Sequence, residues 1–186
     1  MAKGKLFIIS GASGVGKSTV LKKVMDGRPD LQFSVSATTR PPRPGEQEGV
    51  SYYFVTTEQF EKMISEDAFL EYDAHNKNYY GTPAQQVEDK LRNGHVILDI
   101  EPVGAFNVQK KRPDATLIFI EAPSWELLER RVRGRGDTPE DQIAMRLERA
   151  KWELEQKVKY HYVVVNDQAQ ACADKIFHII AQADMK

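Results

Sequence analysis

Eight residues near the N-terminus have the types and spacing to do chemistry. Gly11-Ala12-Ser13-Gly14-Val15-Gly16-Lys17-Ser18 fits G-x-x-x-x-G-K-[ST] without a mismatch. The glycines let the backbone bend until successive N–H groups point inward at phosphate oxygens, and a following helix adds its positive end. Lys17 then reaches the β- and γ-phosphates of a nucleoside triphosphate, and Ser18 offers its hydroxyl to Mg²⁺. Asp99 closes an apolar run, where a second metal carboxylate belongs, so Ser18 and Asp99 are the expected Mg²⁺ residues. Arg40 and Arg43 lie three apart in the proline-stiffened stretch Thr39-Arg40-Pro41-Pro42-Arg43-Pro44-Gly45. Guanidinium forks bind phosphate bidentately, and a stiff backbone lowers the ordering cost. Tyr52 and Tyr80 could add phenolic hydroxyls to the same anion. A second basic run, Arg130-Arg131-Val132-Arg133-Gly134-Arg135-Gly136-Asp137, is followed by Arg146. Glycines flanking arginines suit a lid that closes over a nucleotide.

Other chemistries have little support. His75, His95, His161 and His178 are scattered, without a His–Cys metal spacing, and no nucleophile–base pair suggests covalent catalysis. Phosphoryl transfer needs neither, because positioning and charge stabilisation do most of the catalysis.

The elements that must position these residues follow from periodicity. Leu6 to Ile9 reads as a buried strand, and Val20, Leu21, Val24 and Met25 recur at helical spacing after the glycine loop. Phe33 to Thr38 alternates apolar and hydroxyl residues, which predicts one half-buried strand with an open face of Ser34, Ser36 and Thr38. Tyr52 to Val55 and Ala68 to Tyr72 read as further short strands. Thr56 with Gln59 predicts a capping box ahead of Phe60, Met63 and Ile64. Thr82, Pro83 and Gln85 give a second helix start before Val87 and Leu91. Val96–Ile100, Thr116–Ile120 and Tyr162–Val165 are strands of the fully buried kind. Helices are expected at about 124–132, 139–158 and 169–183, and Pro102 can start another. Continuous apolar strands between amphipathic helices indicate an α/β fold with a parallel sheet covered on both faces. Residues 34–83 break that rhythm and read as a small mixed α/β insertion for a second substrate. Trp125 and Trp152 are expected to pack.

The 186 residues match one domain, 41% hydrophobic and 28% charged. A net charge of −1 gives no global field for nucleic acid or an anionic membrane, so neither is an expected partner. The single cysteine, Cys172, excludes an internal disulfide and reads as a buried core thiol. The N-terminal apolar run is too short for a signal or a membrane span. A cytoplasmic protein is expected, monomeric or homodimeric.

At this point the chain resembles a guanylate kinase, from about Leu6 to the last helix. The resemblance rests on Ser10 to Thr19, on Phe33 to Glu46 with its Thr-Thr-Arg-x-Pro-Arg-x-Gly-Glu element, and on Asn78-Tyr79-Tyr80-Gly81-Thr82. Arg131 to Gly136 and Val165-Asn166-Asp167 match as well. It implies a P-loop core (1–33, 84–124 and 150–186), a GMP-binding insertion (34–83) and a helical lid (125–149). The implied reaction is ATP-dependent phosphorylation of GMP, and of dGMP, to the diphosphate with Mg²⁺. Gly11 to Thr19 would hold ATP, with Arg135 over adenine. Arg40, Arg43, Tyr52 and Tyr80 would hold the GMP phosphate. Glu71 would accept from the guanine N–H groups while Ser36 and Thr82 donate to the 6-oxo group. Lys17, Arg43, Arg131 and Arg146 would share the charge of the moving phosphoryl. After Asp99-Ile100 the family usually has Asp and, two residues later, Gln-Gly, whereas this chain has Glu101-Pro102-Val103-Gly104. Glu101 stands as the second acceptor-site carboxylate, one methylene longer. The altered segment leaves two alternatives: a kinase for another phosphorylated acceptor such as a ribose bisphosphate, and a non-catalytic module binding a phosphorylated partner.

Overall fold

The computed structural model describes residues 4–75, 77–134 and 139–184. Described strands fall into a five-stranded sheet and a four-stranded sheet, and helices accompany both. The chain divides into two compact units. The first takes the described residues of Met1–Leu6, Asp30–Leu98 and Val103–Ala115, the second those of Phe7–Pro29, Asp99–Pro102 and Thr116–Lys186.

The second unit carries the rhythm of apolar strand and helix. Strands β1 (Leu6–Gly11), β8 (Thr116–Glu121) and β9 (Tyr162–Val165) lie in the order β1-β8-β9, and both pairings are parallel. Leu6 to Ile9 and Leu117 to Ile120 are fully buried, as strands covered on both faces must be, whereas β9 corrects the expectation of a third fully buried strand: it ends the strand order, and Val163 and Val165 are exposed. The helices are α1 (Lys17–Gly27), α5 (Trp125–Arg133), α6 (Glu140–Glu155) and α7 (Ala169–Asp184). Helix α6 runs into a 3-10 turn at Gln156–Lys159. Helix α5 packs on α6 through Val132, Ile143 and Leu147, with Trp125 against them. Cys172 is buried, as expected, whereas Trp152 keeps 41% of its surface exposed.

The first unit pairs β2 (Gln32–Phe33) with β7 (Val96–Asp99) in parallel. It also holds the mixed sheet β4-β3-β6-β5: β3 (Ala37–Thr38), β4 (Tyr53–Phe54), β5 (Phe69–His75) and β6 (Asn78–Pro83). Helices α2 (Thr57–Ser65), α3 (Ala84–Leu91) and α4 (Pro102–Lys111) complete the set. The Thr56 capping box is present in both directions: the Gln59 N–H donates to Oγ1 and the Thr56 N–H to Oε1 of Gln59. Phe60 stacks on Phe69 and Tyr79, at centroid distances of 4.4 and 5.1 Å, over Ala37. The fold class is therefore α/β, with parallel pairings between apolar strands and a second mixed sheet.

Three local expectations are corrected. The single strand Phe33–Thr38 is broken: β2 and β3 belong to different sheets. Gln86 Oε1 accepts from Ser34 Oγ (2.9 Å) and from the Val35 N–H (3.0 Å), replacing strand hydrogen bonds there with one side-chain amide. The hydroxyl face is not open either, since Ser34 and Thr38 are buried and Thr38 donates to the Tyr79 carbonyl at 2.9 Å. Finally, Asn78 to Pro83 forms a strand antiparallel to β5, so Thr82 ends a strand and Pro83 takes the cap position of α3.

Candidate functional site

In the second unit β1 runs straight into the glycine loop. Gly14 and Gly16 have φ of 86° and 89°, left-handed values that favour glycine. Gly16 caps α1 and has no side chain of its own to bond the helix's first N–H groups, which suits an anion. The loop is tied down from behind. The Val15 carbonyl accepts from Asn166 Nδ2 at 2.8 Å and Arg131 Nη1 at 3.2 Å. The Ser13 N–H donates to Glu153 Oε2 at 2.9 Å. Glu153 is 2% exposed, and burial pushes its carboxyl above the ordinary range against the pull of the Ser13 bond. Ala12 and Val15 are buried, Gly11 is partly covered, and Ser18 and Thr19 face solvent on the first turn of α1.

Lys17 is ion-paired with Asp99, which brings together two of the residues singled out from sequence. Among the described residues no group of three or more His, Cys, Asp or Glu side chains gathers to cage a metal. One carboxylate and one hydroxyl suit Mg²⁺ that arrives on phosphates and keeps several waters. Arg146 is half-buried on α6, and Arg135 lies outside the described residues. Glu101 is ion-paired with Arg149, whose Nε also donates to Glu153 Oε1 at 3.3 Å.

The first unit assembles the other set. Arg40 grips Glu46 with two hydrogen bonds of 2.9 and 2.8 Å, and the Arg43 N–H donates to the same carboxylate at 2.7 Å. The Arg40 guanidinium holds the Glu46 carboxyl down at about 2, and Arg40 is itself pushed above its ordinary value by Glu46. The guanidinium lies 5.4 Å from the Tyr52 ring centre, and Tyr52 meets Tyr80 edge-on at 6.0 Å. Tyr80 also hydrogen-bonds Arg40. Arg43 faces solvent. Glu71, 9% exposed, accepts a 2.6 Å hydrogen bond from Thr82 Oγ1. Ser36 is half-buried on the crossing between β2 and β3, its carbonyl bonded by the Tyr53 N–H at 2.9 Å.

Two supporting residues had weak signals or none. Asn166 follows the apolar strand β9, and a polar residue there needs a partner if buried. Glu153 sits on an amphipathic helix, where a carboxylate reads as solvated surface.

A guanylate kinase family model matches residues 3–183. A guanylate kinase of Synechococcus sp. is 47% identical over 175 residues, covering 94% of this chain and 81% of that protein. One of Oceanobacillus iheyensis is 45% identical over 185 residues, 99% of this chain and 90% of its own. The crystal structure of the Anaplasma phagocytophilum guanylate kinase superposes with a TM-score of 0.81 at 32% identity, covering all of this chain and 88% of that one. A glycine cradle with its lysine, on a chain matched along nearly its whole length, leaves one assignment: the chain belongs to the guanylate kinase family, phosphotransferases that phosphorylate GMP with ATP.

Proposed function

We propose that the two residue sets divide this reaction between them, Gly11 to Thr19 holding ATP and residues 34–83 holding GMP. The observation that carries the acceptor reading is Glu71: a nearly buried carboxylate whose orientation Thr82 fixes through a 2.6 Å bond. Ionised, it only accepts, and guanine presents an N1–H and a 2-amino group on one edge. Adenine lacks that donor pair, and leaving buried polar groups unpaired costs orders of magnitude in rate. With the Thr82 proton given to Glu71, Ser36 is the donor to the 6-oxo group. Arg40, Arg43, Tyr52 and Tyr80 take the GMP phosphate; Glu46 pre-sets the Arg40 fork, which lowers the ordering cost.

On the donor side, Lys17 exchanges Asp99 for the β- and γ-phosphates, and the loop N–H groups cradle them. Ser18 and Asp99 would hold Mg²⁺, which would supply charge neutralisation to the nucleotide phosphates. Lys17, Arg43, Arg131 and Arg146 share the charge of the moving phosphoryl, residues 125–149 act as a lid, and Arg135 covers adenine. Glu101 serves α6 through Arg149 in this structure, so its part in GMP binding rests on the resemblance alone. Lys17, Ser18, Arg131 and Arg146 are all present in the sequence, which weighs against a non-catalytic module. A cytoplasmic location agrees with the family, and no described helix is long and apolar enough to cross a membrane.

The test is ATP consumption with Mg²⁺ and GMP, dGMP, AMP, UMP or no acceptor. Turnover with GMP, with dGMP behind it, is expected. Equal turnover with AMP would overturn the guanine-edge reading, and ATP binding without turnover on any nucleotide would point to another acceptor.

A further inference from the structure

We propose that Gly104 is a specificity-determining position that acts on guanine through Glu71, a proposal that rests on the acceptor reading above. Gly104 is buried in the first turn of α4. A Cβ there would lie 2.7 Å from Glu71 Oε2 and 3.1 Å from its Cδ. The contact with Oε2 requires the carboxylate to move, and the contact with Cδ is tighter than most Cβ contacts and adds to the push. Gly104 is not among the glycines at positive φ, so backbone conformation does not demand glycine. Alanine is the better helix former, and the glycine therefore answers to space.

The other carboxylate oxygen, Oε1, accepts from Thr82 Oγ1 at 2.6 Å. Glu71 is thus clamped, with a hydroxyl on one side and a bare Cα on the other. A clamped carboxylate presents its lone pairs in a fixed plane, which recognition of two parallel donors requires. The first turn of α4 also favours a negative charge beside it. A methyl group at position 104 tilts the carboxylate, so that at most one of the two guanine donors stays paired. Gly104 is a positioning residue and touches no substrate.

The test is Gly104→Ala, assayed with GMP, with IMP (which lacks the 2-amino group) and with ATP as the varied substrate. The expected result is a KM for GMP raised at least about tenfold and a narrowed GMP-over-IMP preference, with the KM for ATP and the Tm held. An unchanged GMP KM and preference, or equal losses for GMP and ATP, would overturn the proposal. Glu71→Gln run in parallel separates the two layers. If it leaves the GMP-over-IMP preference intact, the acceptor reading fails. If it abolishes the preference while Gly104→Ala keeps it, only the Gly104 inference fails. Should Gly104→Ala not fold, adding Glu71→Asp withdraws the carboxylate by one methylene. Recovery of soluble protein then supports the collision with Glu71, and failure to recover refutes it.

Discussion

Glu153 offers the sharpest test of how the phosphate loop is held. Its carboxylate is 2% exposed and accepts from the Ser13 N–H at 2.9 Å and from Arg149 Nε at 3.3 Å. Glu153→Ala leaves the Ser13 N–H without that partner. A lost hydrogen bond to a charged group costs about 1.5–3 kcal/mol, partly offset because a buried charge no longer has to be desolvated. The loop then has to be ordered by the nucleotide itself, and fixing one residue's backbone costs about 1–2 kcal/mol. ATP should therefore bind about 5- to 30-fold more weakly. Glu153→Gln keeps an oxygen for Ser13 and should stay within about threefold. Titration calorimetry with ATP on both variants reads the difference. The reasoning fails if Ala binds ATP like the parent, or if Gln loses as much as Ala. A pH signature goes with it. Burial raises the Glu153 pKa, so its contribution to stability is fully present below the ordinary carboxylate pKa and is lost as pH rises through the raised value. Glutamine mimics the protonated acid, and its Tm relative to the parent should rise as pH climbs from below the ordinary carboxylate pKa through the raised value.

The Arg40–Glu46 pair runs in the opposite sense. The Glu46 carboxyl is held at about 2 by Arg40, so its contribution is complete above the ordinary value of 4.5 and disappears as pH falls towards 2. Glu46→Gln should free the Arg40 fork and raise the KM for GMP about 3- to 10-fold without changing the KM for ATP; an unchanged GMP KM would remove Glu46 from the acceptor site. Asn166→Leu takes a buried donor from the Val15 carbonyl and should cost about 1–3 kcal/mol in denaturant unfolding, with weaker ATP binding. Cys172 is buried and its thiol is pushed up to about 11 by burial, so a maleimide at pH 8 should label it only after unfolding.

What the sequence disclosed was local. The glycine loop, the Thr56–Gln59 box and the buried strands at Leu6–Ile9 and Leu117–Ile120 each carry their signal within a few residues, and each is found where periodicity and turn chemistry place it. What it hid depends on distant partners. Ser34 is buried because Gln86, 52 positions away, supplies the acceptor. Glu153 lies 140 positions from the Ser13 N–H it receives. Residue type sends a carboxylate to the surface, although Glu153 continues the buried stripe of Ile143, Leu147 and Ala150, and only the fold reveals the Ser13 donor that makes its burial tolerable. Gly104 carried no signal either, since space around a Cα is not a property of its neighbours in sequence.

Thr82 shows how one hydroxyl supports more than one reading of its role. Read as a hydroxyl beside a helix start, it is a cap; read by resemblance, it donates to the guanine 6-oxo group. A hydroxyl has one proton, and here that proton goes to Glu71 Oε1 at 2.6 Å. While that bond holds, Thr82 has nothing left to donate. Glu71 loses little by it, because a carboxylate has about four lone-pair sites and guanine's two donors need only two of them. In the acceptor site proposed above, the bond can persist with substrate present, so that Thr82 would orient the acceptor group and Ser36 would read the 6-oxo oxygen. Recognition of the base would then divide into one clamped acceptor and one donor. The clamp itself needs both the Thr82 hydroxyl and the missing side chain of Gly104.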